Sequence, residues 1–266
     1  MVMTFESVIC TISNAKRLVV KIGTSSISDN NNRIDVGKIA ILVSILMKEK
    51  IKGKSPILVS SGAIGAGLGR MRLTERPTDM DELQASAAIG QGLLMQTYEF
   101  FFNNYDQPIA QLLLTNDDFT DKQRFKNLSN TLEKLIQWDV IPIINENDTV
   151  ATEEIKVGDN DTLAAYVAQA VDADVLVIFT DVDGLYTGNP GNQGSRFVKT
   201  VNEVSDEVEG WASKVGKGFG GMYTKVQAAK RLSECNIATI IANHNSSNAL
   251  ERALNGEIGT LFLPRR

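Results

Sequence analysis

The sequence predicts an α/β fold, in which helices cover both faces of a central, mainly parallel sheet to form an αβα sandwich. Short runs rich in β-branched residues alternate with longer segments of helical period along the chain. Several of these runs are apolar on both faces, which is typical of strands covered by helices on each side. Strand, helix and strand repeated in this order favour parallel pairing. We therefore expect one compact domain over residues 1–266.

Each predicted element follows from its own pattern. The strands are predicted at the short apolar runs 17–23, 56–62, 108–115, 140–147, 175–181, 238–243 and 260–264. The helices are predicted where apolar residues recur at helical spacing, at 36–50, 80–103, 121–137, 160–171, 221–235 and 246–255. Two segments differ from this rhythm: 149–157 alternates like one arm of a hairpin, and 186–197 is a loop rich in Gly, Pro and Asn.

The composition argues against several classes of protein. The net charge is −5 and the pI is near 5.1, whereas a nucleic-acid-binding protein usually presents a basic face. No apolar run approaches the roughly 20 residues that span a bilayer, and the N-terminus lacks the pattern of a signal peptide. Cys10 and Cys235 form no C-x-x-C pair, which is typical of thiols in a reducing compartment. We expect a cytoplasmic protein that binds neither nucleic acid nor membranes.

Polar residues collect where the predicted strands end. The first strand carries Lys21 near its end, and the second runs into Ser61 and a series of glycines. The fourth ends in 145–148, and the fifth ends in Thr180 and Asp181. In open parallel sheets, ligands bind beyond the carboxyl ends of the strands. Glycines let backbone N–H groups approach a phosphate, and a lysine adds positive charge. This composition predicts a site for a phosphate and a small polar ligand.

Taken singly, these features also have structural explanations. A lysine at the end of a buried strand, such as Lys21, can extend its ammonium to solvent without touching a ligand. The run "SSGAIGAG" can equally serve close helix packing. The neighbours Asp159, Asn160 and Asp161 precede a predicted helix and could cap it, although capping needs only one of them.

Familiar catalytic motifs are missing from the sequence. Residues 216–221 fit G-x-G-x-x-G, but no apolar strand precedes them, so a dinucleotide-binding oxidoreductase is disfavoured. The chain contains no G-x-x-x-x-G-K-[ST] motif. Ser61 is not in a G-x-S-x-G elbow, and His244, the only histidine of the sequence, reads as a polar loop residue. Nucleophilic hydrolysis is therefore disfavoured as well.

Taken in order, several stretches resemble the amino acid kinase family, and within it the members that phosphorylate glutamate. The matching stretches are "VVKIGTSS" (19–26), "VSSGAIGAG" (59–67), "INENDTVATEEIKVGDND" (144–161), "FTDVDGLYT" (179–187) and "GGMYTKVQAA" (220–229). The resemblance implies an open, mainly parallel sheet of about eight strands. It also implies transfer of the ATP γ-phosphoryl group to the side-chain carboxylate of L-glutamate, which gives L-glutamyl 5-phosphate in the first step of proline biosynthesis.

The resemblance further implies roles for individual residues. The expected catalytic residues are two lysines that neutralise the transferring phosphoryl group, a carboxylate that orients them, and a second carboxylate that helps to organise the site or the metal: Lys21, Lys225, Asp161 and Asp159. The expected glutamate pocket consists of Ser61, Asp148 and Asn160, with the acid suited to the α-ammonium and the uncharged donors suited to carboxylates. From the residues alone, Lys225 would read as a solvated helix residue.

ATP, carrying Mg²⁺, is the expected phosphoryl donor, and the sequence assigns no ligands to the metal. The expected nucleotide contacts are Lys21, Thr180, Asp181, Phe219, Gly220, Gly221, Met222, Tyr223, Thr224 and Lys225. The family commonly has small hydroxyl residues where this chain has Phe219 and Tyr223. Gly220, Gly221 and Lys225 are retained, so ATP binding is still expected.

Family members form homodimers or homotetramers, are inhibited by proline and feed a glutamyl phosphate reductase, and we carry these partners over as expectations. Many bacterial members add a C-terminal RNA-binding-like (PUA) domain, whereas this chain ends at "GTLFLPRR", so a single kinase domain is expected. Two alternatives stay open: a relative acting on aspartate, acetylglutamate or a nucleotide, and a catalytically silent amino-acid sensor. The "NEND" and "GDND" blocks weigh against the first, and the retained lysines weigh against the second.

Overall fold

The computed structural model describes residues 5–29, 33–73, 76–150, 160–214 and 221–265. The strands are β1 (Arg17–Ile22), β2 (Ser55–Ser60), β3 (Ile109–Leu114), β4 (Ile141–Glu146), β5 (Val175–Thr180), β6 (Thr200–Val201), β7 (Ala238–Asn243) and β8 (Thr260–Phe262). The helices are α1 (Phe5–Ser13), α2 (Val36–Ile51), α3 (Ala63–Met71), α4 (Met80–Asn103), α5 (Asp117–Thr120), α6 (Lys122–Gln137), α7 (Asn160–Ala170), α8 (Asp206–Lys214), α9 (Met222–Glu234) and α10 (Ala249–Leu254).

The strands form one eight-stranded sheet in the order β3-β4-β2-β1-β5-β7-β8-β6. All neighbouring strands are parallel except β7 and β8, which pair antiparallel. The predicted open, mainly parallel sheet is therefore confirmed. The carboxyl ends of β1, β2, β4 and β5 meet at the centre of one edge, because these four strands are adjacent and point the same way.

The predicted strands and helices are all present, with small differences at their ends. The sequence did not predict five further elements: α1, α3, α5, α8 and the two-residue strand β6. The predicted loop at 186–197 is closed by a bridge between Tyr186 and Phe197. Most of the predicted hairpin arm at 149–157 lies outside the described residues, and its first two residues form a turn.

Two hydrophobic layers pack against the sheet, one on each face. The layer that contains Leu18 and Val20 of β1 joins α1, α2, α4 and α10, whereas the layer that contains Val19 joins α6, α7, α8 and α9. Successive side chains of a strand point to opposite faces. Lys21 therefore lies on the same face as Val19, beneath α7 and α9. This alternation directs the ammonium group of Lys21 towards the two helices that carry the rest of the site.

Glycines bring the first two helices after β2 unusually close together. Gly62 caps α3 with a φ of 111°, a left-handed conformation that favours glycine. A Cβ atom at Gly67 of α3 would lie 1.9 Å from the carbonyl oxygen of Ser86 in α4, and one at Gly90 of α4 would lie 1.8 Å from that of Ala63. The alternative explanation of "SSGAIGAG", close helix packing, is therefore confirmed. The packing fixes the start of α3 beside the end of β2.

Within the described ranges, no helix combines the length and the apolarity that crossing a membrane requires.

Candidate active site

A cleft of about 530 Å³ opens at the carboxyl edge of the sheet. Its floor is formed by the ends of β1, β2, β4 and β5, and one wall by the start of α4. Polar lining residues come from each of these four strand ends and from the helices α7 and α9: Lys21, Ser61, Asn145, Glu146, Asp148, Asn160, Thr180, Asp181 and Lys225. The cleft therefore lies where the sequence predicts a ligand site.

Two lysines from distant parts of the chain bind the same carboxylate beneath the cleft. The Nζ atom of Lys21 lies 2.5 Å from Oδ1 of Asp161, and the Nζ atom of Lys225 lies 2.9 Å from Oδ2. Asp161 is fully buried in the first turn of α7, and each lysine is only 4% exposed. The interpretation of Lys225 as a solvated helix residue is therefore wrong, because α9 packs this side chain against α7.

The electrostatics of this cluster favour an ionised carboxylate. Burial raises the pKa of Asp161, but the two neighbouring ammonium groups outweigh burial and hold its pKa below the usual value. Two cations and one anion leave the cluster with a net positive charge. That surplus charge faces the cleft, because Lys21 and Lys225 both line it.

The first turn of α9 adds further polar groups. Thr224 Oγ1 lies 3.0 Å from Oδ2 of Asp161 and 2.8 Å from the carbonyl oxygen of Gly221, so its hydroxyl proton has two acceptors within reach. Gly221 is the N-cap of α9, which leaves the first backbone N–H groups of the helix without helical partners. Such a helix start attracts anions, which suits a phosphate placed next to Lys225.

The three residues expected to form the glutamate pocket all line the cleft. The side-chain amide of Asn160 donates to Ser61 Oγ at 2.6 Å and to Asn145 Oδ1 at 3.0 Å. Asp148 also lines the cleft. The hydrogen bonds join Asn160 to Ser61 and add Asn145 as a buried neighbour, and Asp148 shares the cleft with them. Asp159, which was expected as a catalytic residue, lies outside the described residues.

The carboxyl group of Asp148 is a weaker acid than an ordinary aspartate. Burial raises its pKa to about 6, although the guanidinium of Arg76 acts in the opposite direction. A nearby cationic ligand would stabilise the ionised form of this carboxyl group. The environment of Asp148 therefore suits a ligand with an ammonium group.

The predicted nucleotide side is only partly described. Thr180 and Asp181 line the cleft, whereas Phe219 and Gly220 lie outside the described residues. Met222 packs its side chain into the hydrophobic layer, so any nucleotide contact there would be through its backbone. Tyr223 is exposed on the surface of α9.

Some lining residues had no clear signal in the sequence. Arg76 and Gln84 contribute to the wall beside α4, but they belong to a stretch with no recognisable motif. Asn145 was visible as a polar residue at a strand end, yet nothing indicated its buried hydrogen bonds. His244 lies outside the cleft lining, and burial together with the nearby Lys38 lowers its pKa. This agrees with its interpretation as a non-catalytic loop residue.

The arrangement suits two polar ligands with an anionic group between them. Two lysines and a helix start contribute positive charge, one part of the lining carries Thr180 and Asp181, and another carries Asp148 and Asn160. A family model described as the amino acid kinase family matches residues 16–243. The chain belongs to the amino acid kinase family, which confirms the resemblance seen in the sequence.

Curated relatives narrow the comparison to one kind of enzyme. The chain is 50% identical over 254 residues to a glutamate 5-kinase of Caldanaerobacter subterraneus subsp. tengcongensis, covering 94% of this chain and 68% of the relative. It is 45% identical over 258 residues to a glutamate 5-kinase of Clostridium acetobutylicum, covering 96% of this chain and 97% of the relative. Within the family, the chain thus groups with the glutamate 5-kinases.

Solved structures share the fold at low sequence identity. A carbamate kinase from Giardia lamblia bound to AMP-PNP superposes with a TM-score of 0.66 at 20% identity, covering 94% of this chain and 99% of that one. A UMP kinase from Ureaplasma parvum gives a TM-score of 0.64 at 18% identity, with coverages of 93% and 98%. These two structures therefore support the assignment of the fold.

Proposed function

We propose that the protein transfers the γ-phosphoryl group of ATP to the side-chain carboxylate of L-glutamate and forms L-glutamyl 5-phosphate. The observation that carries the proposal is the pairing of Lys21 and Lys225 with the buried Asp161 at the centre of the cleft. The relatives named glutamate 5-kinase support the choice of acceptor.

The chemistry requires charge neutralisation more than proton transfer. A carboxylate is already ionised at neutral pH, so it can attack phosphorus without a general base. Its approach to the triphosphate is opposed by electrostatic repulsion. Catalysis of phosphoryl transfer rests mainly on positioning and on stabilising charge. A cleft with two lysines at its centre, and with its histidine outside the lining, suits this reaction.

In this proposal the two lysines act on the same transferring group from opposite sides. Lys21 reaches the cleft from the end of β1, and Lys225 reaches it from the first turn of α9. Asp161 holds both ammonium groups in place before the substrates arrive, so little reorganisation is needed during the reaction. Its own charge stays beneath the floor, where it orients the lysines without cancelling both of them.

The acceptor wall supplies recognition of the amino acid. The acidic Asp148 suits the α-ammonium group of glutamate, because an adjacent cation offsets the cost of ionising a half-buried carboxyl. Ser61 Oγ already accepts from Asn160, so its own hydroxyl proton remains available for a substrate carboxylate. Arg76 at the rim adds a cation that suits the negatively charged amino acid.

We propose that Mg²⁺ binds to the protein together with ATP. Among the residues the structure describes, no group of three or more His, Cys, Asp or Glu side chains could hold a metal ion. Mg²⁺ in kinases keeps several waters and uses substrate phosphates with one or two carboxylates, so a dedicated cage is not required. Asp181 is the lining carboxylate on the nucleotide side that fits this need. When bound, the ion would neutralise phosphate charge.

Trapping the acyl phosphate tests the proposal. The protein is incubated with Mg-ATP, hydroxylamine and one acid at a time, namely L-glutamate, L-aspartate or N-acetyl-L-glutamate, and the acyl hydroxamate is measured. We expect hydroxamate with glutamate, and its loss in Lys225→Met. If hydroxamate forms only with another acid, the protein is a kinase of the same family that acts on that acid. If no acid gives hydroxamate, the result favours a catalytically silent sensor.

The remaining expectations extend the same proposal. Association into homodimers or homotetramers is tested by sedimentation, and a sample that contains only monomer would refute it.

Proline is proposed to compete with glutamate for the acceptor site. Activity that does not change at millimolar proline would refute this inhibition. A downstream glutamyl phosphate reductase would consume the labile product. The exposed thiols Cys10 and Cys235 suit a reducing, cytoplasmic compartment.

A further inference from the structure

We infer that Gln91 is a positioning residue that sets the polarity of the amide chain Asn145–Asn160–Ser61 and thereby tunes binding of the amino-acid acceptor. The inference rests on the proposed function. Gln91 belongs to α4, does not line the cleft and has no part in the expected site. It reaches the site only through other side chains.

The contacts form an unbroken line from α4 to the acceptor wall. Asn145 Nδ2 donates to Gln91 Oε1 at 3.0 Å, and Asn145 Oδ1 accepts from Asn160 Nδ2 at 3.0 Å. Asn160 Nδ2 also donates to Ser61 Oγ at 2.6 Å. Gln91 is 8% exposed and Asn145 is 3% exposed, so water has little access to the first link.

Each link dictates the orientation of the next. An amide has a donor end and an acceptor end, and turning it by half a rotation exchanges them. Because Gln91 presents an oxygen, Asn145 must point its NH₂ group at α4 and its oxygen at Asn160. The NH₂ group of Asn160 then donates to Asn145 and Ser61. Its own oxygen is left buried without a hydrogen-bond partner among the described residues.

This polarity decides what the acceptor wall offers a ligand. Because Asn160 Nδ2 donates to Ser61 Oγ, Ser61 keeps its own hydroxyl proton for a carboxylate of the ligand. The sequence-based expectation gave Asn160 the role of a donor to carboxylates, whereas both of its amide hydrogens are used inside the protein, which leaves Ser61 as the donor. If Gln91 lost its oxygen, Asn145 could turn over, and Asn160 could then turn its oxygen towards Asn145 and Ser61. The Ser61 hydroxyl proton would be used inside the protein and would no longer be available to the substrate.

The test compares two replacements that differ in one property. Gln91→Met keeps length but removes the acceptor, whereas Gln91→Glu keeps an oxygen acceptor in either protonation state. Binding is measured calorimetrically in the absence of nucleotide, with L-glutamate, L-aspartate and N-acetyl-L-glutamate as probes. We expect Gln91→Met to weaken binding of the preferred acid about tenfold, and Gln91→Glu to recover most of that loss. The KM for ATP should stay unchanged in both.

Gln107 provides a matched control. It is another buried glutamine, 6% exposed, whose Nε2 donates to the carbonyl oxygens of Pro108 and Asp139 away from the cleft. Gln107→Met removes a buried amide and should lower the unfolding midpoint without changing acid binding. Equal weakening in Gln91→Met and Gln91→Glu, or weakening in Gln107→Met that matches Gln91→Met, would overturn the inference.

Failure of the proposed function gives a different result from failure of this inference. A wild type that binds aspartate or acetylglutamate in preference to glutamate would refute the proposed substrate, yet the same Gln91 comparison would be made with the preferred acid. A wild type that binds none of the three acids would overturn both.

Discussion

Lys21 and Lys225 hold opposite oxygens of one buried carboxylate, although they come from the first strand and the ninth helix. Their Nζ atoms lie 2.5 Å and 2.9 Å from the two oxygens of Asp161. Such a clamp fixes two cations at one point of the cleft before any ligand binds.

Replacing Lys225 by Met should lower kcat by about 10²–10³-fold while leaving glutamate affinity nearly unchanged, because the lost charge acts on the transferring group. Lys230 provides the matched control on the same helix, since it is ion-paired with Glu209 on the surface. Lys230→Met should keep wild-type kcat. Steady-state kinetics of both variants make the comparison, and equal kcat in the two would contradict the role of Lys225.

Asp161→Asn should destabilise the protein by about 3–5 kcal/mol at neutral pH, because it leaves two buried ammonium groups without their counter-ion. The folded-state pKa of Asp161 is depressed, so its contribution exists above the pKa of an unfolded aspartate and is lost as the pH falls through the folded value. The stability difference from wild type should persist down to about pH 4 and shrink below it. Urea unfolding at several pH values measures this difference, and one that grows on acidification would contradict the assignment.

Glutamate binding should weaken as Asp148 becomes protonated. Its pKa is raised to about 6, so the carboxylate that attracts the substrate's ammonium is mostly neutral at pH 5. The KM for glutamate should rise roughly tenfold between pH 7.5 and pH 5. In Asp148→Asn the KM should be high at both pH values. A wild-type KM that stays constant over this range would contradict the role of Asp148.

The same carboxyl has an opposite effect on stability. Because its pKa is raised on folding, the ionised form opposes folding at pH values above the unfolded pKa. Asp148→Asn should therefore raise the free energy of unfolding at pH 7. The gain should disappear below about pH 4, where the carboxyl is protonated in both states. Urea midpoints at the two pH values test the sign.

Gly90→Ala should destabilise the protein by about 1–3 kcal/mol and raise the KM for glutamate, because its methyl group would force α3 away from α4. The added Cβ would lie 1.8 Å from the Ala63 carbonyl oxygen, at the start of the helix that follows Ser61. Gly92, on the same helix, has no atom within 4 Å of an added Cβ. Gly92→Ala should be neutral or stabilising by up to about 1 kcal/mol. Equal effects of the two substitutions would contradict the close-packing argument.

The sequence predicted the sheet and the edge at which ligands bind, because both depend on local signals. The apolar runs identified every strand of three or more residues, and the polar strand ends pointed to Lys21, Ser61 and Thr180. The helix α3 was missed because its glycines lower helix propensity. Only its partner α4 explains them, since the glycines permit the close approach of the two helices.

Other parts of the site depend on contacts that no local pattern reports. Lys225 was assigned a role only through the family resemblance, and its burial follows from the packing of α9 on α7. Gln91 looks like any polar residue of a long helix, and its hydrogen bond to Asn145 depends on how α4 lies against β4. Side-chain polarity within such a chain of amides appears only after the tertiary contacts are known.

The central claim is that the glutamate side-chain carboxylate attacks the γ-phosphorus of ATP. Glutamate labelled with oxygen-18 in that carboxylate tests it most directly. In the presence of hydroxylamine, attack on the acyl carbon breaks the carbon–oxygen bond and releases phosphate that keeps the carboxylate oxygen. We predict that phosphorus-31 NMR detects inorganic phosphate with one oxygen-18 atom in proportion to the hydroxamate formed. Phosphate without the label would mean that ATP is hydrolysed by water, and it would contradict the account.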